Sequence, residues 1–149
     1  MELFRIVREK YASKPEASGR SNRWNNNAEY VIYTSNNRAL SVLELVVHRS
    51  SIMSASSYKL LTLSIPDGTG YVKSINRSGL PKDWQLLKNY SITQKIGSDW
   101  YKSEETLVLK VPSAIVRGEF NYIINTSHKD FDQVKIKRVE DFEWDKRLL

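Results

Sequence analysis

Apolar side chains recur along this chain with two spacings, and the switches between them mark out the elements. Leu3 to Val7 reads as a short strand with Phe4 and Ile6 on one face. Tyr30 to Thr34 is β-branched and aromatic and predicts a second strand. Tyr58 to Ile65 puts Leu61, Leu63 and Ile65 on one face and stops at Pro66-Asp67-Gly68, a turn signal. Thr106 to Val111 alternates and stops at Pro112, and Asn121 to Ile124 and Val134 to Val139 are further strand segments. Helical spacing runs from about Arg38 to His48, after the N-cap candidates Ser35, Asn36 and Asn37. A shorter helix is expected over Thr93 to Lys102. Lys14 to Asn27 is polar and rich in Ser, Asn and Gly, so it reads as a loop, and Gly79-Leu80-Pro81 marks another. About six strands with two or three helices, not in strict βαβ alternation, predict an α+β fold with a mixed sheet.

Composition narrows the chemistry. The chain has 149 residues and no cysteine, which predicts one domain over 1–149 and excludes disulfides, thiolate-ligated zinc, iron–sulfur clusters and a cysteine nucleophile. With two histidines, His48 and His128, a metal site would have to be built from carboxylates. His48 ends a helix, where a cation is favourable, and His128 falls in a loop. Neither GxGxxG, GxxxxGK[ST] nor GxSxG occurs, so a nucleotide would have to be held on a different scaffold. The start, MELFRIVREK, lacks the basic-then-apolar pattern of a signal peptide. The most apolar window, Ala39 to Val47, is broken by Ser41 and Glu44 and falls short of the roughly 18 residues of a membrane helix. The expectation is a cytoplasmic protein with no membrane partner.

The net charge is +6. A basic excess with aromatic residues raises a nucleic-acid-binding module as one reading, but the basic side chains are scattered, and Lys135, Lys137 and Arg138 are followed at once by acids. Net charge speaks to association, not to a reaction.

Four residues stand out. Glu44 projects about 40° from Leu40, at the margin of a helix face that also carries Leu43 and Val47. A carboxylate there is either a rim side chain reaching water or one held at the wall of a cleft. Arg23 lies in Ser21-Asn22-Arg23-Trp24-Asn25, where a guanidinium can fork onto phosphate or carboxylate oxygens, or simply sit beside an anchoring Trp. Tyr33 closes the strand before the Glu44 helix and offers a flat ring, a hydroxyl, or plain packing. Ser113 follows Val111-Pro112, where Pro would present it at the sheet edge, as a site hydroxyl or as a turn cap.

In order, Arg23-Trp24-Asn25, Val31-Ile32-Tyr33-Thr34, Arg38-Ala39-Leu40, Leu43-Glu44, Leu80-Pro81-Lys82-Asp83-Trp84, Leu109-Lys110-Val111-Pro112-Ser113-Ala114 and Asn121-Tyr122 resemble the RES-domain family. These are the toxins of bacterial RES–Xre toxin–antitoxin pairs. The resemblance runs on through His128-Lys129-Asp130-Phe131 to Phe142-Glu143-Trp144-Asp145 and covers nearly the whole chain. It implies an ADP-ribosyltransferase-like fold and cleavage of NAD+ between nicotinamide and ribose, by phosphorolysis or hydrolysis. It makes NAD+ a substrate, not a cofactor, with inorganic phosphate as a possible co-substrate, and needs no metal. Arg23, Tyr33, Glu44 and Ser113 would be the catalytic set and, with Asn25, would bind NAD+. Arg23 would grip a phosphate, Tyr33 would pack on the nicotinamide end, and Glu44 would hold the ribose. Ser113 would touch the dinucleotide or place Glu44. A cognate Xre-type antitoxin, bound as a hetero-oligomer, and no direct nucleic acid are also implied. The alternative activity is transfer of ADP-ribose to a protein. One departure bears on geometry: Ser21-Asn22 stand where the family often has two glycines, which puts positive-φ freedom in question.

Overall fold

The computed structural model describes residues 1–48, 50, 52 and 55–149. Among these, the strands are β1 (Glu2–Arg8), β2 (Val31–Ser35), β3 (Tyr58–Ser64), β4 (Val72–Ser74), β5 (Val108–Pro112), β6 (Phe120–Asn125) and β7 (Lys135–Phe142). The helices are α1 (Arg38–Val46) and α2 (Tyr90–Ser103), with short 3-10 turns between elements. All seven strands join one sheet in the order β4-β5-β6-β2-β1-β3-β7. β4 and β5 are parallel and the other neighbours antiparallel, so the sheet is mixed and the class is α+β.

One seam in this sheet is weak. β1 pairs with β3 along its whole length, from Glu2↔Ser64 to Arg8↔Tyr58. β2 pairs with β6 from Val31↔Asn125 to Ser35↔Asn121. Between β1 and β2 the register is a single pair, Phe4↔Ser35. Beyond it the two halves part, and α1, which touches both strands, lies across the opening.

Strand alternation then divides the core. One face is continuous: Leu3 and Val7, Ile32, Leu61 and Leu63, and Ile124 share a buried cluster spanning both halves. The opposite face carries two separate clusters. Trp24, Val31, Trp84, Leu109 and Ile123 form a cluster with Trp100 of α2. Ile6, Tyr58 and Leu60 pack against Val42 and Leu45 of α1 and against Trp144. A cleft remains between these two packs, on the side where the seam opens.

The structure corrects three expectations. α2 starts at Tyr90, three residues before the apolar spacing does, because its first turn is solvated. β4 was not foreseen: three residues of parallel pairing leave no alternation to read. In α1, Leu40 is 2% exposed but Leu43 is 38% and Val47 55%, so the face assigned to Leu40, Leu43 and Val47 is not the buried one. The helix packs through Leu40, Val42 and Leu45 because it straddles a seam and does not lie flat on a sheet. Ser113 does lie at an edge, because β4 pairs with β5 only as far as Lys110 while the β6 pairing runs on to Pro112↔Phe120, yet it is only 2% exposed. Of the three N-cap candidates, Asn37 is the cap, its Oδ1 accepting the Leu40 N–H at 2.8 Å. No helix among the described residues is long and apolar enough to cross a membrane.

Candidate functional site

The Arg23 loop is a tight bend. The N–H of Asn22 donates to the Asn25 carbonyl at 3.1 Å, and the Asn25 N–H donates back to Asn22 at 3.3 Å, leaving Arg23-Trp24 at the tip. Among the described residues, positive φ outside glycine occurs only at Ala28 and Glu104, so the bend needs no glycine at Ser21 or Asn22. Asn25 fills the inside of the loop. Its Nδ2 donates to the carbonyls of Arg20 at 2.9 Å and Asn26 at 3.0 Å, and its Oδ1 accepts from the Tyr33 hydroxyl at 2.7 Å.

α2 backs this loop. At Gly97 an added Cβ would lie 1.7 Å from the Trp24 carbonyl oxygen, so only a glycine lets the helix backbone come this close. Next to it, Ser98 Oγ donates at 2.5 Å to the buried Glu29 carboxylate, whose other oxygen accepts the Asn26 N–H at 2.6 Å. Gln94 donates to the Asn22 carbonyl at 3.0 Å. The Trp24 ring packs at 5.9 Å from Trp84. Arg23 leaves the tip between aromatic faces, 5.7 Å from the Trp84 ring and 4.7 Å from the Tyr90 ring, and one guanidinium nitrogen donates to the Gln85 carbonyl at 2.8 Å. The remaining guanidinium donors are the part of Arg23 that can meet an anion.

Tyr33 donates to Asn25 and accepts the Trp24 N–H at 3.0 Å, so its hydroxyl is spent on the loop and its ring is what the cleft meets. Burial, above all, pushes its phenol well above the ordinary value.

Glu44 stands opposite. Its Oε1 accepts twice, from Ser113 Oγ at 3.0 Å and from Asn121 Nδ2 at 2.5 Å. Ser113 Oγ itself accepts the N–H groups of Ile115 and Val116 at 3.1 Å each. Its lone pairs are thereby occupied, and its proton is directed to Glu44. Oε2 takes no hydrogen bond among the described residues, and it is not among the buried polar atoms left without a partner.

These walls enclose a cavity of about 280 Å³. Arg23, Tyr33 and Glu44 line it, together with Tyr90, Ser41 and Asn121. The other two residues expected at the site stand behind its walls: Ser113 supports Glu44, and Asn25 lies inside the loop, off the cavity surface. His48 lies two residues beyond α1 and also reaches the cavity, whereas His128 is buried in its loop, with Nδ1 accepting the Asp130 N–H at 3.1 Å. Tyr90, Trp84 and Asn121 were not singled out from sequence. For Asn121 the available signal was a polar residue at the head of an apolar strand; for the aromatic pair there was none. Among the described residues, no group of three or more His, Asp or Glu side chains is placed to hold a metal.

Comparison with known proteins agrees with this arrangement of elements. Residues 2–145 match the RES domain family. A protein named Toxin Res from Photorhabdus laumondii is 34% identical over 155 residues, covering 100% of this chain and 97% of that protein. The Prs ADP-ribosylating toxin of a Sphingobium species is 32% identical, covering 85% of this chain and 80% of its own length. In fold, the chain is similar to a chain of the M. tuberculosis MbcT–MbcA toxin–antitoxin complex, with a TM-score of 0.74 at 16% identity, over 95% of this chain and 83% of that one. With a match from end to end and relatives above 30% identity, this chain belongs to the RES domain family.

Proposed function

We infer that this protein is the toxin of a toxin–antitoxin pair and that it breaks the nicotinamide–ribose bond of NAD+. The observation that carries this reading is the cavity between Arg23, Tyr33 and Glu44, with Glu44 Oε1 held by two donors and Oε2 taking no hydrogen bond among the described residues. Nicotinamide leaves with the electron pair of the C1′–N bond, and positive charge develops on the ribose. A fixed carboxylate stabilises that charge more in a poorly hydrated cleft than in water, and needs no reorganisation to do so. In this reading Oε2 of Glu44, which takes no hydrogen bond among the described residues, faces the ribose. The free donors of Arg23 pair with a phosphate of the dinucleotide, and the Tyr33 ring supplies an apolar face for the nicotinamide end. An oxygen of phosphate or water then bonds to C1′; with water, a proton goes to solvent.

The test is direct. Purified protein, free of antitoxin, is incubated with NAD+ with and without phosphate, and products are separated by mass. Nicotinamide release is expected, and Glu44→Ala should reduce it by about a hundredfold or more, the scale of losing a principal electrostatic stabiliser. ADP-ribose 1″-phosphate would identify phosphorolysis, and ADP-ribose hydrolysis. NAD+ left intact in both buffers would overturn the reading. The name of the Sphingobium relative favours a second reading, transfer of ADP-ribose to a protein. It predicts a Glu44-dependent mass adduct on a target. The M. tuberculosis neighbour is a toxin in complex with its antitoxin, which supports an antitoxin partner here, and we take it to be of Xre type. NAD+ is an intracellular metabolite, which fits action in the cytoplasm.

A further inference from the structure

We propose that Asn121, oriented by Ser35, is a positioning residue that fixes which oxygen of Glu44 faces the substrate. The inference rests on the NAD+ reading for its kinetic part only. Ser35 and Asn121 are register partners on β2 and β6. Ser35 is buried, and its Oγ donates to Asn121 Oδ1 at 2.8 Å. The ionised Glu44 carboxylate can only accept, so Nδ2 faces it and donates to Oε1 at 2.5 Å, and the Ser35 bond holds the other end of the amide in place. Ser35 is also the residue that pairs with Phe4 at the one point where the two halves of the sheet meet. The chain Ser35–Asn121–Glu44 thus ties a side chain on the bridging helix to the seam below it.

Glu44 needs such a tie. It sits in a nine-residue helix that is anchored by Leu40, Val42 and Leu45 and by the Arg38–Glu140 ion pair, none of which touches the Glu44 carboxylate. A glutamate carries three rotatable bonds, and one donor leaves it free to pivot. Two donors on one oxygen, from β6 and from the turn after β5, fix both the rotamer and the free oxygen.

The test uses Asn121→Ala, Asn121→Asp and Ser35→Ala in the full chain, with NAD+ as substrate. Asn121→Ala is expected to lower kcat by about tenfold to a hundredfold, the range for a lost hydrogen bond to a charged group, with KM held within about threefold. Ser35→Ala should show the same split, smaller. Asn121→Asp sets a second carboxylate against Oε1. Two carboxylates so close cannot both ionise, so the pair retains a proton above the ordinary carboxylate range. Its activity should recover as pH falls and that proton restores a donor; wild type and Asn121→Ala should show no such recovery. The same shared proton should appear, independent of activity, as a raised step in the carboxyl ¹³C titration of Asn121→Asp. A merely structural role would lower stability without creating that step or the acid-side recovery. Wild-type kcat in Asn121→Ala, or an Asn121→Asp variant with the wild-type profile and titration, would overturn the proposal. If wild type leaves NAD+ untouched while the raised step is present, the substrate reading fails and the positioning role stands.

Discussion

The two walls of the cleft are built in different ways. The Arg23 wall is a loop held by packing together with buried hydrogen bonds: α2 presses on the Trp24 backbone at Gly97, Ser98 bonds a buried Glu29, and Arg23 is flanked by Trp84 and Tyr90. The Glu44 wall is a short helix held at its working end by hydrogen bonds from Ser113 and Asn121. Packing around a loop is part of the core, so damage there costs stability first. Donors to one carboxylate oxygen contribute little to the core but decide where a charge sits, so damage there costs rate first. The comparison predicts that the two walls fail differently, and three substitutions on the Arg23 side test it.

Gly97→Ala should have the largest effect. The new methyl would meet backbone at 1.7 Å, with no flexible side chain to yield, so α2 or the loop must move. Overpacking of this kind costs about 3 kcal/mol. The urea midpoint should fall with the m-value unchanged. A variant that unfolds at the wild-type midpoint would show that α2 does not brace the loop, and the contrast between walls would lose its basis.

The same contrast explains what could be read from the sequence. Strands with clear alternation, such as Leu61–Leu63–Ile65 and Thr106–Val111, were legible because each turns one face to a core. Arg23, Tyr33 and Glu44 were legible as an ordered set, though nothing in their own spacing distinguished a cleft from a rim. The buried face of α1 was misread because periodicity assumes a helix with a single apolar partner, whereas α1 meets β1 and β2 on one flank and the cavity on another. Ser113 is legible at the sheet edge, since β4 pairs with β5 only as far as Lys110, but its bond to Glu44 is not, because α1 lies far away along the chain. Asn121 and Tyr90 join the site from β6 and the first turn of α2, far along the chain; a polar residue at the head of an apolar strand is the one local mark of Asn121, and Tyr90 has none.

Tyr33→Phe should come next, with a pH signature. The phenol accepts from Trp24 and donates to Asn25, and losing both leaves partners unpaired, at a cost of about 1–2 kcal/mol. Burial holds the folded phenol above its ordinary value of 10.0. Above pH 10 the unfolded chain therefore releases a proton that the folded chain keeps. Stability from this group is complete below pH 10 and is lost as pH rises toward the folded value. The gap in urea stability between wild type and Tyr33→Phe should be constant from pH 7 to 9 and narrow above pH 10. A constant gap through pH 11 would mean that the hydroxyl is not buried as described.

Tyr90→Leu should have the smallest effect, and it separates the walls most cleanly. The ring lies 4.7 Å from the Arg23 guanidinium at the cleft surface, a contact worth about 0.5–1 kcal/mol. Arg23 keeps its bond to the Gln85 carbonyl and its contact with Trp84, so the loop should remain folded. What weakens is the aim of Arg23, which under the proposed function grips a substrate phosphate equally in the ground and transition states. Such a loss raises KM, here by about two- to fivefold, and leaves kcat near wild type. Asn121→Ala predicts the opposite split. Because the two residues share no partner, their effects on log kcat/KM should add in the double variant. Strong coupling between them would mean that the walls move as one unit, so that the single Phe4↔Ser35 pair is a rigid joint and the packed and hydrogen-bonded sides are not independent.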